Sequence, residues 1–269
     1  MNLISFVLLS GGPSSRMGKD KGLVKLGDKL LIQHVLDNIN KFRDLLNLES
    51  KIPVKLILHD FMQQQEYLDR VPELTEDDII IDEVVWNSLY SDIPLPPQCA
   101  MLGVWTAMTS LRNKYRNVFV LPGDAPFVSE AILSYMMDEY FKTDRLFKNG
   151  NKHGRKKKVG KKYISYVPQW NNHKYEPIFA IYHIKSIQPA LERRLLRKEI
   201  SFQRTIEDLV SNKEVLSLNE IRYNVEIRPI SIEQQFSKYD GKFDNFIDIN
   251  SFENLKSVEK KLLSREIKI

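Results

Sequence analysis

The chain of 269 residues is 42% hydrophobic and 28% charged, with 40 Lys and Arg facing 35 Asp and Glu and a single cysteine, Cys99. That apolar fraction and near balance of charge exclude an intrinsically disordered chain, and one cysteine excludes an internal disulfide framework or a multi-cysteine metal site. No apolar run approaches the roughly 18 residues that span a bilayer, so the expectation is a globular protein of the reducing cytoplasm, with no membrane partner.

The mostly apolar run Leu3 to Leu9 has no basic residues before it and ends in Gly11-Gly12, so it reads as a buried strand rather than a targeting segment. Beyond a glycine-bearing loop, Leu31, Ile32, Val35, Leu36 and Ile39 recur at helical spacing, and Val54 to Leu58 predicts a second strand. A polar helix over Phe61 to Arg70 leads to a third strand, Ile79 to Ile81. Pro94-Leu95-Pro96-Pro97 lacks the backbone donors for helix or ladder and marks a loop near 87–99. A helix from about Gly103 to Lys114 precedes a fourth strand, Val118 to Leu121, stopped by Pro122-Gly123, and Ser129 is placed to cap the next helix, to about Tyr140.

An insertion near 142–162 interrupts this alternation, and Lys152 to Lys162 holds seven Lys or Arg and no acid. Outside that tract bases and acids nearly balance, so the basic pI of about 9.0 has a local origin. The tract has no aromatic residue to stack on a base, which argues for a solvated loop over a nucleic-acid arm. Strands at Tyr163 to Val167 and Ile178 to Tyr182 follow, then helices near Ser186 to Arg197 and Phe202 to Leu209. The tail predicts a strand over Phe246 to Ile249, a Ser251 cap, and a helix carrying Leu255, Val258 and Leu262. Repeated strand and helix alternation implies an α/β fold with a mostly parallel sheet between two helical layers. With no internal repeat and no long linker, residues 1–269 are expected to form one domain.

In an open parallel sheet, ligands bind beyond the carboxyl ends of the strands, which directs attention to the loop after the first strand. It reads Leu9-Ser10-Gly11-Gly12-Pro13-Ser14-Ser15-Arg16-Met17-Gly18-Lys19-Asp20-Lys21. Glycines admit close approach of backbone N–H groups to an anion, Ser14 and Ser15 offer hydroxyls, and Arg16, Lys19 and Lys21 supply positive charge, which are the parts of a phosphate cradle. The spacing is not that of a P-loop, because five residues separate Gly12 from Gly18 and Asp20 stands at the hydroxyl position. Nor is it the Gly-x-Gly-x-x-Gly dinucleotide fingerprint. The five histidines form no H-x-x-x-H pair and no Gly-x-Ser-x-Gly elbow is present, so neither a zinc hydrolase nor a serine hydrolase is indicated.

At these residues the sequence resembles the molybdenum cofactor guanylyltransferase-like nucleotidyltransferases. Their signature, Leu-Ala-Gly-Gly-x-Ser-x-Arg-Met-Gly-x-Asp-Lys, matches Leu9 to Lys21 at every fixed position except Ser10 in place of alanine. Three later segments follow in the family's order: Asp124 after the fourth strand, Glu176-Pro177 before an apolar run, and Phe246-Ile247-Asp248-Ile249-Asn250 before a capped helix. The resemblance implies a three-layer, Rossmann-like fold of the nucleotide-diphospho-sugar transferase type. It also implies a magnesium-dependent transfer of an NMP from an NTP to a phosphorylated small-molecule acceptor, with release of pyrophosphate. On it, Arg16, Lys21 and Asp124 are the expected catalytic residues; Leu9, Ser10, Gly11, Gly12, Ser14, Lys21, Asp82 and Gly103 bind nucleotide; Asp124, Asp248 and Asn250 bind Mg2+.

The Pro-rich loop and the basic tract Lys152 to Lys162 are among several features that depart from the family. Its Gly-Pro-Leu-Ala-Gly segment on the base side is represented by Gly103-Val104-Trp105-Thr106-Ala107, and the Asn expected after the second strand is replaced by His59-Asp60. The base therefore stays open between GTP and CTP, and the acceptor between molybdopterin-like and sugar-phosphate-like. The alternative is a non-catalytic nucleotide-binding or scaffold protein on the same fold.

Overall fold

A computed structural model describes residues 2–10, 20–46, 52–150, 162–212, 215–218, 221–239, 241–246, 255–256 and 259–260. The first half of the chain runs β1 (Asn2–Leu9), a hairpin of β2 (Lys25–Leu26) and β3 (Lys29–Leu30), α1 (Leu31–Leu45), β4 (Val54–Leu58), α2 (Phe61–Arg70), β5 (Ile79–Ile81), α3 (Asp82–Leu89), α4 (Ala100–Leu111) and β6 (Tyr115–Pro122). The second half runs α5 (Glu130–Gly150), β7 (Lys162–Gln169), β8 (Ala180–His183), α6 (Ile184–Leu196), α7 (Phe202–Asn212), β9 (Val215–Leu218), β10 (Ile221–Ser231) and α8 (Ile232–Gln235).

Among the described residues eight strands form one sheet, in the order β5-β4-β1-β6-β8-β7-β10-β9. The four strands β5, β4, β1 and β6 are mutually parallel; β8 runs antiparallel to β6 and β7, β10 is parallel to β7, and β9 is antiparallel to β10. The sheet is thus mostly parallel, with an antiparallel strand inserted at β8 and another at its β9 edge. This is the fold class the sequence implied.

Alternation along each central strand sorts side chains to two cores. Ile4, Phe6 and Leu8 of β1 join Phe119 and Leu121 of β6 under α1, α2 and α5, whereas Val7 joins Val118 and Val120 under α3, α4, α6 and α7. Period-2 strands between two helical layers give this pattern, and each fully buried large apolar side chain contributes about 1.5–3 kcal/mol. Phe6 anchors the first core, stacked on Phe119 at 5.3 Å and edge-on to Phe42 at 5.8 Å. Trp86 and Trp105, at 5.2 Å, anchor the second.

The strands at 54–58 and 79–81 and the helix at 61–70 lie where the sequence places them; other elements differ for identifiable reasons. The helix expected from Gly103 begins at Ala100, with extended Cys99 as its N-cap. Its residues from Met101 to Met108 are buried on every side, which erases the amphipathic period that marks a helix start. The Pro-rich loop is shorter than 87–99, because α3 occupies its first residues to Leu89. Ser129 does accept from the Ile132 N–H, at 3.4 Å. The helix it starts passes Tyr140 and runs to Gly150, and Lys162 already pairs with Asn224 in the sheet. The insertion assigned to 142–162 is therefore helix at one end and strand at the other, with 151–161 outside the described residues.

The strand expected from Ile178 begins at Ala180, because the Phe179 N–H closes a turn onto the Glu176 carbonyl at 3.1 Å. Phe246 ends a 3-10 turn, Asp244–Phe246, instead of opening a strand; Ile247 to Ile249 and Ser251 lie outside the described residues. Leu255 packs against Val24, Leu26, Leu31 and Phe127, while Val258 and Leu262 also lie outside.

Candidate active site

The order β5-β4-β1-β6 sends the chain from β1 outward through β4 to β5 and then back to the other side of β1, so a topological switch point lies between β1 and β6. Crevices at such points, beyond the carboxyl ends of parallel strands, are where α/β sheets take ligands. Register brings Leu9 opposite both Ile57 and Pro122, and two backbone bonds fasten the exits of the three strands: Gly123 N–H to the Leu9 carbonyl at 2.8 Å, and Ser10 N–H to the Ile57 carbonyl at 3.2 Å. A side chain at Gly123 would stand 3.0 Å from the Leu9 carbonyl oxygen and from Ser10, so any larger residue would push the two strand ends apart by a few tenths of an ångström.

Lys21 and Asp124 meet across this crevice. Lys21 Nζ lies 3.5 Å from Asp124 Oδ2, with the two side chains 24% and 17% exposed: sheltered, yet reachable. Burial pushes the Asp124 carboxyl above its ordinary value, and the Lys21 ammonium pulls it partly back. A lysine here offers a point charge to phosphate, and a carboxylate a hard oxygen to a cation.

Lys21 opens a 3-10 turn, Lys21–Leu23, whose N-cap is Asp20; its Oδ1 accepts from the Gly22 N–H at 3.1 Å. The same oxygen accepts from the Tyr67 phenol at 2.6 Å, and Oδ2 accepts from Gln63 Nε2 at 3.2 Å. The Tyr67 hydroxyl also meets Ser10 Oγ. Arg70 Nη2 donates to the Leu23 carbonyl at 2.9 Å. Gln63, Tyr67 and Arg70 stand at i, i+4 and i+7 on α2, so one face of that helix docks on the segment carrying Lys21. Burial raises the Asp20 carboxyl, against the opposing pull of the Tyr67 and Gly22 hydrogen bonds. Burial also lifts the Tyr67 phenol well above its ordinary value, so it stays a donor at neutral pH.

Asp82 is buried in the first turn of α3, with Oδ2 3.6 Å from His59 Nδ1. Burial raises its carboxyl and His59 opposes this; the Asp82 carboxylate in turn lifts the His59 imidazole. Trp105 Nε1 is buried without a hydrogen-bond partner among the described residues. Gly103 faces the sheet: a Cβ there would lie 3.1 Å from Leu9 Cδ2 and 3.5 Å from Ile57 Cγ2, so its contacts are those of helix packing. Leu9 itself is half-buried against the second core.

Of the residues expected from sequence, Leu9, Ser10, Lys21, Asp82, Gly103 and Asp124 are thus described, with Lys21 and Asp124 in contact. Gly11, Gly12, Ser14, Arg16, Asp248 and Asn250 lie outside the described residues. Among the described residues no three His, Cys, Asp or Glu side chains gather in a cation-binding cluster, and no helix is long and apolar enough to cross a membrane. Sequence reasoning missed Asp20 and Tyr67. Asp20 carried a signal, a capping residue inside the signature; Tyr67, one aromatic in a polar helix, carried none.

A switch-point crevice that brings a loop lysine onto a strand-end carboxylate offers groups for phosphate and for a cation, and the class of protein it fits is the nucleotidyltransferases. Comparison with known proteins agrees. The family described as MobA-like NTP transferase domain matches residues 6–48. A probable molybdenum cofactor guanylyltransferase of Natranaerobius thermophilus is similar at 26% identity over 261 residues, 96% of each chain. A molybdenum cofactor guanylyltransferase of Vibrio vulnificus is 55% identical over 38 residues, 14% of this chain and 20% of that one. The crystal structure of molybdopterin-guanine dinucleotide biosynthesis protein A from Archaeoglobus fulgidus shares the fold, with a TM-score of 0.60 at 22% identity, covering 97% of this chain and 99% of that one. The chain is a nucleotidyltransferase similar in sequence to MobA-like proteins, and it shares their fold.

Proposed function

We propose that the protein transfers GMP from GTP to a phosphorylated, molybdopterin-like small molecule, releasing pyrophosphate. The observation that carries this reading is the contact of Lys21, at the exit of the signature loop, with Asp124 at the end of β6. GTP is preferred to CTP because the relatives similar over nearly the whole chain are named guanylyltransferases.

In this reading an oxygen of the acceptor phosphate attacks the α-phosphorus, the bond from that phosphorus to the bridging oxygen breaks, and pyrophosphate departs. The acceptor phosphate is ionised at neutral pH, so the site needs no histidine or cysteine base. Lys21 exchanges its contact with Asp124 for the phosphate chain, and Arg16 joins it. A magnesium ion fits the donor set, since Asp124 presents a sheltered hard oxygen beside the place where phosphates would lie, and magnesium takes few protein ligands. Asp124 would hold it, with Asp248 and Asn250 as further ligands. Bound there, the ion would neutralise charge on the phosphate oxygens.

The test is pyrophosphate release from each of the four NTPs with magnesium and a panel of phosphorylated acceptors, beside calorimetric NTP binding. Release with GTP and a pterin phosphate, weakened in Lys21→Ala, is expected. Binding of GTP with no turnover on any acceptor would favour a non-catalytic protein on this fold. No binding and no release would end the proposal.

A further inference from the structure

The nine residues 11–19 of the signature loop are flanked by Ser10 and Asp20, and these two flanking residues touch the same atom. The Tyr67 hydroxyl lies between Ser10 Oγ at the loop's entry and Asp20 Oδ1 at its exit, the latter at 2.6 Å. A phenol has one proton and can also accept. With the Asp20 carboxylate able only to accept, the phenol donates to Asp20 and the Ser10 hydroxyl donates to the phenol. Tyr67 is fully buried, so its ring is a fixed post. Gly22 completes the fit, since a Cβ at that position would stand 2.2 Å from Ser10 Oγ and 2.3 Å from the Tyr67 oxygen.

We infer that Tyr67 is a positioning residue for nucleotide binding, its hydroxyl tying together the two ends of the signature loop while α2 fixes the segment that carries Lys21. Gln63 and Arg70 extend the same face to the Asp20 carboxylate and the Leu23 carbonyl. The inference rests on the proposed function, because it assumes that Lys21 and the loop meet the nucleotide's phosphates. The physical ground is preorganisation: a lysine whose turn is already held by Asp20, Tyr67 and α2 loses less conformational freedom when it meets a phosphate. Tyr67 touches no reacting atom in this scheme. Its effect should fall on the phosphates, which the loop meets, and spare the base.

The test is calorimetric titration of GTP and of GMP, each with magnesium, into wild type, Tyr67→Phe, Lys21→Ala and the double variant. Tyr67→Phe keeps the ring and removes the oxygen. It is expected to weaken GTP about tenfold, or about 1.4 kcal/mol, and GMP less than about threefold. In the Lys21→Ala background the same change should cost GTP less than about threefold, since two residues acting through one contact are not additive. A general packing defect would instead weaken both nucleotides alike and add in full. Arg70→Leu, at the partly exposed end of the same face, should weaken GTP about threefold and decides the matter if Tyr67→Phe does not fold. Wild-type GTP affinity in Tyr67→Phe, equal losses for GTP and GMP, or full additivity would overturn this inference and leave the proposed function standing. Failure of the wild type to bind any NTP would overturn both.

Discussion

Among the described residues the narrowest glycine fit in the site is at Gly22, and filling it gives the sharpest test of the geometry. Gly22→Ala adds one methyl group 2.2 Å from Ser10 Oγ and 2.3 Å from the Tyr67 oxygen, where ordinary contact begins at 3.4 Å. Each neighbour must retreat by about 1 Å, and they differ in how cheaply they can. Ser10 is half-buried and can rotate, surrendering its bond to Tyr67 at a cost of about 0.5–1.5 kcal/mol. Tyr67 cannot yield by rotation, because its oxygen lies in line with a ring that is fully buried in the first core. Either the ring shifts or the turn carrying Lys21 moves outward, and overpacking of this kind costs about 1–3 kcal/mol. For a chain of this size each kcal/mol corresponds to about 2–4 °C in Tm, so a fall of roughly 2–12 °C is expected by scanning calorimetry.

Affinity for GTP should fall with it, because Lys21 precedes the strained position directly. Gly241→Ala is the control: among the described residues a Cβ there meets the Ser237 carbonyl alone, at 3.8 Å, and should alter neither quantity. If Gly22→Ala matched wild type in both Tm and GTP affinity, the close approach of loop entry, loop exit and α2 would be wrong.

Asp124→Asn should lower transfer by about two powers of ten or more if several kcal/mol of charge stabilisation are lost, without lowering Tm at neutral pH. Burial holds the folded carboxyl above its unfolded value, so the ionised group destabilises the fold as pH rises through that folded value; the amide removes this term, and a lower Tm at pH 8 would contradict it. His59 is lifted by Asp82, so its contribution is complete below its unfolded value near pH 6.5 and is lost as pH rises through the folded one. His59→Gln should flatten that part of a Tm-against-pH curve, and an unchanged slope would rule the pair out as its source. Replacing Lys156, Lys157 and Lys158 by serine should change calorimetric GTP affinity by less than about twofold, whereas a tenfold loss would bring the basic tract into the nucleotide site.

Elements with a single clear period were legible in the sequence. The strand Val54–Leu58 and the helix Phe61–Arg70 coincide with the pattern because turn or capping residues bound them, and Asp60 caps the helix by accepting from Gln63 N–H at 2.9 Å. The helix at Ala100–Leu111 was misplaced because both of its faces are buried. The strand Ile221–Ser231 carries a legible pattern that the alternation of strands and helices does not call for. Ile221, Tyr223, Val225 and Ile227 alternate with Arg222, Asn224, Glu226 and Arg228, the period of a half-buried strand, yet its neighbours in the sheet are set by pairing that no local pattern encodes. The antiparallel β8 is a similar case, since βαβ reasoning supplies only parallel neighbours.

The candidate site divides along the same line. Lys21 and Asp124 could be read from sequence because each belongs to a short motif, and parallel strands deliver both to one edge of the sheet. Tyr67 could not, being 57 residues from Ser10 and 47 from Asp20. The sequence shows α2 as a polar helix, which ordinarily implies a solvated one. Its inner face is instead polar by necessity, because the surface it meets is a loop exit with a carboxylate and a free carbonyl to satisfy. Gln63, Tyr67 and Arg70 repeat at the helical period just as apolar residues would, but the repeat is written in hydrogen-bond donors. A hydrophobic periodicity search passes over such a face. A search for donors at i, i+4 and i+7, on the helix that follows the strand beside the signature loop, would detect it, because an exit turn anchored by a carboxylate needs donors wherever it docks.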